Sequence, residues 1–362
     1  MAHPSDEDER FVRATLRLAR RHAGLTGTNP SVGTLVVREG RVVGRGITAA
    51  GGRPHAEPVA LAEAGEAARG ATAYVSLEPC AHHGVTPPCA EALIRAGVAR
   101  VVTAYVDPDR RVDGRGHAML RDAGIAVEAG VASQAAASDL AGYLSRQTRH
   151  RPHVMLKLAV SADGYLGREC EETPLTGVES RRQVHAMRAR ADAIMVGSGT
   201  AVVDDPALTC RLPGLGDRSP HRYVLSAGAR LSPESLLATS AREVATTVVS
   251  VADLPPALAR LGVRHLRAER HGDGLALPEV LDDLAARGTA VLMVEGGARV
   301  ARAFLRDDLV DRLALFIAPV RLGGGIAAPL DARPEGFEQV DERRFGADGF
   351  ELWERRRCSP EL

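Results

Sequence analysis

The sequence predicts an α/β protein built as two domains, and three observations lead there. The chain has 362 residues, beyond the size at which a single hydrophobic core usually stops growing. Each half alternates helix-period segments with short apolar runs of strand character. Between the halves lies "SRQTRHRPHV", Ser145 to Val154, a polar and basic stretch with Pro152 that interrupts the pattern. The expected boundary falls near residue 149, giving domains 1–149 and 150–362.

In the first half, residues 7–22 have amphipathic helical spacing, and "SVGTLVVREGRVVGRG" reads as a hairpin turning at Glu39-Gly40. "HAEPVALAEAGEAARG" is helical by its Ala, Leu and Glu content and stops at Gly70. "ATAYVSL" reads as a strand, "PPCAEALIRAG" as a helix opened by prolines, and "ARVVTAYV" as a further strand. The second half restarts with "HVMLKLAVSADG", "ADAIMVG", "HRYVLS", "AVLMVEGG" and "DRLALFIAPV" as strands, with helices between several of them. Residues 212–219 and 331–349 read as loops.

Composition narrows the function classes. Hydrophobic residues at 45% and charged residues at 25% fit an ordinary globular chain rather than a disordered one. A formal net charge of zero, with no Lys/Arg-rich block, gives no electrostatic footprint for nucleic acid or a membrane surface, so a small-molecule partner is expected. The opening "MAHPSDEDER" is the reverse of a signal peptide, and no apolar run approaches the ~20 residues that span a bilayer, so the expected location is the cytoplasm. Five cysteines in that reducing compartment do not suggest a disulfide framework.

The first chemical constellation lies in the first half. His55 and Glu57 stand at the start of one helix, Cys80 follows a strand, and Cys89 opens the next helix. Zinc accepts imidazole and thiolate, and helix N-termini favour thiolate. Three protein ligands leave a fourth position for water, whose pKa zinc lowers to about 7. Glu57 is then placed to carry a proton to a leaving nitrogen. Zinc deaminases carry H-x-E followed by P-C-x-x-C; here HAE and PC are present, but eight residues separate the cysteines. Core residues or a structural zinc site remain the plainer alternative. Asn29, in "TNPSVG", either contacts substrate or begins a turn before Pro30.

The second half offers a second constellation. No GxGxxG follows its first strand, which leaves a Rossmann reading little support. "VEGGARVARAFL" places two glycines between a strand and a helix, where backbone N–H groups can approach phosphate; a tight turn with no ligand is the alternative. Of 46 lysine-plus-arginine residues one is a lysine, Lys157, inside an apolar strand. It is either a catalytic, proton-donating ammonium that guanidinium cannot replace or a snorkelling edge residue.

Together, "TNPSVG", "PHAE", "SLEPCAHHGVTPPC" and "DPDRRVDGRG" resemble the bifunctional riboflavin-biosynthesis deaminase-reductase family, in which the cysteines lie this far apart. "KLAVSADG", "RARADAIMVGSGTAVVDDPALTCR", the glycine turn and "APVRLGGG" resemble its reductase half, so the resemblance covers nearly the whole chain. It implies a cytidine-deaminase-like three-layer domain, a dihydrofolate-reductase-like domain using NADPH, and assembly as a homo-oligomer. By resemblance His55, Cys80 and Cys89 bind Zn2+, Glu57 transfers the proton, and Asn29 and His82 contact a phosphorylated pyrimidine. Ala159, Thr200, Asp204 and the run Gly297, Ala298, Arg299, Val300, Ala301, Arg302, Ala303 would contact the cofactor. Arg188, Leu208, Arg211 and Glu295 would contact the reductase substrate; as plain surface charges, Arg188 and Arg211 would do nothing.

The chain also departs from that pattern. Val85 stands where a basic residue is common, Glu172 and Pro174 replace an expected serine and tryptophan, and Ser226 replaces an aspartate. The expected activity is hydrolytic deamination of 2,5-diamino-6-ribosylamino-4(3H)-pyrimidinone 5′-phosphate, then reduction of its ribosyl group. The departures leave room for a related deaminase-reductase of specialised metabolism. A nucleic-acid base deaminase would need a basic, aromatic channel, against 3% aromatic residues. A non-enzymatic structural zinc module is the remaining alternative.

Overall fold

The apolar runs of the first half assemble into one five-stranded sheet, and those of the second half into another of nine strands. The computed structural model describes residues 5–169, 171–330 and 334–356, and the chain divides into two units between His150 and Arg151.

The first unit comprises α1 (Asp6–Ala19), β1 (Gly33–Arg38), β2 (Arg41–Ile47), α2 (Ala56–Ala64), β3 (Thr72–Val75), α3 (Cys89–Ala96), β4 (Arg100–Thr103), α4 (Arg115–Asp122), β5 (Ala126–Ala129), α5 (Ser133–Asp139) and α6 (Ala141–Arg149). Its sheet runs β2-β1-β3-β4-β5. The first two pairings are antiparallel and the last two parallel. Glu39 and Gly40 turn the β1–β2 hairpin, both at positive φ, as tight two-residue hairpins require.

Alternation along β1 feeds two cores. Leu35 and Val37 pack with Phe11, Val12 and Leu16 of α1. Val36 packs with Ala60 and Ala64 of α2. Helices therefore cover both faces of the sheet, making three layers. The α1 face is locked by charge as well. Ser5 and Asp8 form a capping box, and the buried Asp8 carboxylate accepts from Arg100 at 2.7 and 2.9 Å and from the Tyr74 hydroxyl at 3.1 Å. Those Arg100 hydrogen bonds hold the Asp8 pKa down to about 2.

On the other face α2 lies unusually near β2. A Cβ on Gly44 would stand 2.2 Å from the Ala60 carbonyl oxygen, and one on Gly46 would stand 1.9 Å from that of Ala56. Two glycines spaced for one face of the strand thus set the depth at which the start of α2, with His55 and Glu57, sits.

The second unit contains strands β6 (His153–Ser161), β7 (Tyr165–Gly167), β8 (Ala193–Gly197), β9 (His221–Leu225), β10 (Thr246–Ser250), β11 (Arg264–Arg267), β12 (Arg270–His271), β13 (Gly274–Leu275), β14 (Val291–Val294), β15 (Arg312–Ala318), β16 (Ile326–Ala327), β17 (Phe337–Phe345) and β18 (Asp348–Arg355). Among them run α7 (Val178–Arg188), α8 (Ser198–Val203), α9 (Leu236–Thr239), α10 (Pro256–Arg260), α11 (Leu277–Ala286) and α12 (Ala298–Arg306). The large sheet has the order β11-β10-β9-β8-β14-β6-β15-β18-β17. It is parallel as far as β15 and antiparallel beyond.

The expected loop 331–349 is corrected here. Residues 331–333 lie outside the described residues, but most of the rest forms β17 and the start of β18, an antiparallel hairpin on the sheet edge. Glu338, Gln339 and Val340 of β17 are exposed. An edge strand solvated in this way carries charge instead of an apolar rhythm, which is why it reads as a loop.

Two outcomes follow. Gly46→Ala forces α2 off the sheet and is expected to cost about 1–3 kcal/mol by overpacking, seen as a lower urea midpoint with an unchanged m-value. The Asp8 ion pair contributes stability that is complete above the unfolded carboxylate pKa of about 3.9 and is lost as pH falls through about 2. Wild type should therefore exceed Asp8→Asn in urea midpoint at pH 7, with the gap narrowing between about pH 4 and pH 2.

Candidate active sites

His55 caps the N-terminus of α2, Glu57 lies in the helix's first turn, Cys89 is the first residue of α3, and Cys80 sits on the segment after β3. The His55 Nδ1 is 3.3 Å from the Cys89 Sγ and 3.7 Å from the Cys80 Sγ. All three donor atoms lie within 4.8 Å of one another. A tetrahedral zinc ion with two sulfur ligands and one nitrogen ligand needs ligand separations of roughly 3.5–3.8 Å, so the trio fits Zn2+ in spacing and in donor type. The Cys89 N–H, at the start of α3, donates to the Cys80 Sγ at 3.3 Å. Hydrogen bonding from Cys89 draws the Cys80 thiol down to about 4, while the Cys89 thiol is pushed up by its sulfur partner and by burial. Glu57 is buried, and burial pushes its carboxyl up to about 7.

A second carboxylate holds the cysteine segment in place. Buried Glu78 accepts backbone N–H groups of Asp107 at 3.2 Å, Gly114 at 3.0 Å and His117 at 3.1 Å. A Cβ on Gly116 would stand 2.0 Å from the Pro79 carbonyl oxygen. The "DPDRRVDGRG" segment is thereby clasped to "EPC". Its Asp107 receives the Tyr143 hydroxyl at 2.8 Å and is raised to about 6 by burial.

Asn29 donates from Nδ2 to the Gly52 carbonyl at 3.0 Å while its own carbonyl accepts from Thr26 at 2.7 Å. It ties the loop that leads into Pro54-His55, a positioning contact next to His55. His82 is half-buried, and its Nδ1 has no hydrogen-bond partner among the described residues. Val85 stands 86% exposed, so nothing at that position anchors a ligand by itself.

In the second unit a cavity of about 1780 Å³ opens beyond the C-terminal ends of the parallel strands, where α/β sheets place their ligands. That volume exceeds the ~300–1,000 Å³ of a single small-molecule site and leaves room for a dinucleotide and a substrate together. Lys157, Ala159, Arg188, Thr200, Asp204, Leu208, Arg211 and Glu295 all line it. So does the run from Gly297 to Ala303, with one correction: Ala301 is fully buried and packs into the core with Phe304, three residues on along the same face of α12. The Gly297 N–H donates to the Thr200 hydroxyl at 3.2 Å, joining the two strand-to-helix turns. With Arg299 and Arg302 also lining the cavity, the N-terminal half of α12 has the chemistry to receive dinucleotide phosphates.

At the cavity floor three charges meet. Arg188 donates to both Glu295 oxygens, at 2.6 and 2.9 Å, and to the Thr209 carbonyl at 3.2 Å. The Lys157 Nζ lies 3.9 Å from Glu295. Burial pushes the Lys157 ammonium below its ordinary pKa, against the opposing pull of Glu295. Burial likewise raises Glu295, but the Arg188 guanidinium outweighs it and the carboxylate ends below its usual value. Lys157 is no edge lysine, because β6 lies between β14 and β15, and Arg188 is no solvated charge. Arg211 and Asp204 are exposed on the rim. Partial desolvation by the cavity wall and the nearby Glu172 raise the Asp204 carboxyl.

Sequence reasoning gave no role to Arg222. It is fully buried on β9, donates to the Ala207, Ser240 and Val244 carbonyls, and so fixes the segment before Leu208. One arginine among so many carries no signal in sequence.

Comparison with known proteins agrees with this geometry. Residues 5–105 match the cytidine and deoxycytidylate deaminase zinc-binding region, and residues 152–349 match the RibD C-terminal domain. The chain is 38% identical to the riboflavin biosynthesis protein RibD of Aquifex aeolicus, over 88% of this chain and 89% of that one. It is 37% identical to its Escherichia coli counterpart, over 98% of both. Among solved structures it is similar to RibD of Acinetobacter baumannii, with TM-score 0.86, 33% identity, and coverage of 97% of this chain and 99% of that one. The diaminohydroxyphosphoribosylaminopyrimidine deaminase/5-amino-6-(5-phosphoribosylamino)uracil reductase of Thermotoga maritima gives TM-score 0.84 and 30% identity, with the same coverage.

The trio predicts how metal content responds to substitution. Cys80→Ser and Cys89→Ser each replace a thiolate by a poor zinc donor and are expected to lose most of the bound zinc. Glu57→Gln, which removes no ligand, should keep it. Elemental analysis of the purified variants checks this.

Proposed function

The chain belongs to the riboflavin-biosynthesis deaminase-reductase family, a zinc- and NADPH-dependent bifunctional enzyme, and from that premise we propose its substrate and the roles of its residues. The first unit hydrolyses the 2-amino group of 2,5-diamino-6-ribosylamino-4(3H)-pyrimidinone 5′-phosphate. The second reduces the ribosyl group of the deaminated product to ribityl. The observation that carries this reading is the pairing, within one chain, of a His-Cys-Cys trio beside a buried glutamate with a dinucleotide-sized cavity over a Lys-Glu-Arg cluster.

Zinc, when bound, supplies a water of lowered pKa. The chain does the rest of the deamination. Glu57, with a pKa drawn toward neutrality, takes a proton from the attacking water and returns it to the departing nitrogen, so that a C–N bond breaks, a C=O bond forms and ammonia leaves. Its burial keeps bulk water from competing for that proton. His82, with an unpartnered buried Nδ1, is a candidate contact for the pyrimidine.

NADPH, when bound, supplies hydride. Opening the ribosyl ring leaves an oxygen that needs a proton, and Lys157 is the group in the cavity that carries one on a compact head. Burial makes its ammonium a readier donor, and Glu295, held anionic by Arg188, keeps it in position. Arg211 on the rim suits the substrate phosphate. No helix of the described residues is long and apolar enough to cross a membrane. Cytoplasmic location goes with NADPH chemistry and with the free thiols of Cys80, Cys89 and Cys210.

Incubation with the diaminopyrimidinone phosphate, with and without NADPH, followed by mass analysis, tests the whole reading: deaminated product alone is expected without NADPH, deaminated and reduced product with it. Two variants should split the activities. Glu57→Gln is expected to slow deamination by at least ~10²-fold and leave reduction of the deaminated substrate intact. Lys157→Arg keeps charge but replaces a compact head by a wide fork, so reduction should fall while deamination persists. Full reductase activity in Lys157→Arg would leave the lysine with no chemical role.

A further inference from the structure

A phosphorylated substrate, as in the reading above on which this inference rests, brings a dianion to the mouth of the zinc site. Several cations of the first unit are already matched by carboxylates. Arg111 is doubly bonded to Asp109. His83 faces Glu91 at 3.0 Å, and Arg95 shares the same carboxylate at 3.3 Å. Arg45 is bonded to Glu63 and Arg20 to Asp139.

Arg53 differs from all of these. It stands two residues before His55, and its Nη1 donates at 2.9 Å to the neutral Thr86 hydroxyl, on the segment joining the two metal-binding cysteines. Its Nη2 lies 3.6 Å from where a Cβ on Gly84 would be, so the guanidinium lies over the turn closed by the Gly84 N–H to Thr86 carbonyl bond. Among the described residues it pairs with no carboxylate. The turn beneath it exposes Val85 and offers no charge from Gly84, Val85 or Thr86. One end of the guanidinium is thus anchored by a hydroxyl, while its other donors face no acceptor of the chain. That arrangement is preorganised for the oxygens of a phosphomonoester.

We infer that Arg53 is the phosphate-recognising residue of the deaminase site, held over the Gly84–Thr86 turn by Thr86 so that the 5′-phosphate is read at the metal site's entrance. Arg53 stands two residues before His55 and bonds to the segment between Cys80 and Cys89. Arg53 and the zinc ligands therefore share one neighbourhood.

The test compares the diaminopyrimidinone 5′-phosphate with its dephosphorylated form, measuring deaminase kcat and KM for wild type, Arg53→Gln and Arg53→Lys, with zinc per chain as the structural control. A charge-assisted contact of this kind corresponds to at least roughly tenfold in binding. Arg53→Gln is therefore expected to cut the preference for the phosphorylated form by about that factor, through KM, at full zinc content. Arg53→Lys should restore part of it. A KM rise of the same size for both forms would reduce Arg53 to a brace for the turn and overturn the inference; so would an undiminished preference in Arg53→Gln. A wild type that deaminates neither form would sink the functional reading itself, which separates that failure from this one.

Discussion

Charge removed from water must be matched where it is buried, and both units are organised around places where this is done. Glu78 enters the interior because three backbone N–H groups receive its carboxylate. In doing so it fixes the segment that carries Cys80. Glu295 is buried because Arg188 closes on it in a fork, and the matched pair then holds the ammonium of Lys157 at the cavity floor. Each case uses a buried carboxylate to set the position of a group at a candidate site. Asp8 does the same for architecture, since its bonds to Arg100 and Tyr74 tie the first helix to two strands.

The two sites also share a way of using helix starts. Cys89 opens α3, and its N–H reaches the other thiolate. Gly297 precedes α12, and its N–H reaches the Thr200 hydroxyl. In both units the chain leaves the C-terminal end of a parallel strand and enters a helix whose first donors lie at the site. A helix start supplies partial positive charge without a titratable group. It therefore favours thiolate in one unit and phosphate in the other without adding a titratable group beside Glu57 or Lys157.

Legibility from sequence followed the rarity of the residue types. Imidazole and thiolate at set spacing are uncommon, and a lone lysine in an apolar strand stands out, so His55, Cys80, Cys89 and Lys157 could be singled out before any coordinates. Arginine is so abundant here that Arg188, Arg222 and Arg53 look alike in sequence; only burial and partners separate a carboxylate clamp, a carbonyl clamp and an unmatched guanidinium. Resemblance supplied Glu295 and the glycine-turn residues as a run, yet it could not tell that Ala301 turns away from the cavity into the core. The α/β class was legible because buried parallel strands are apolar throughout. The β17 edge strand was not, because solvated edges carry charge in place of that signal.

The place of β6 in its sheet has a consequence for how the second unit comes into being during synthesis. It is the first strand of the unit to leave the ribosome, yet both of its neighbours, β14 and β15, lie far along the chain. The bond between Arg151 and Asp311 spans 160 positions. Until those later segments emerge, β6 is a strand of apolar side chains whose backbone N–H and C=O groups have no ladder partner, a state that favours slow folding and exposure to aggregation. Lys157 is thus made early but meets Glu295 only near the end. The reductase site is completed by late pairings at the middle of its sheet, so a ribosome that stops short of β14 releases a chain with the lysine in place and no site around it.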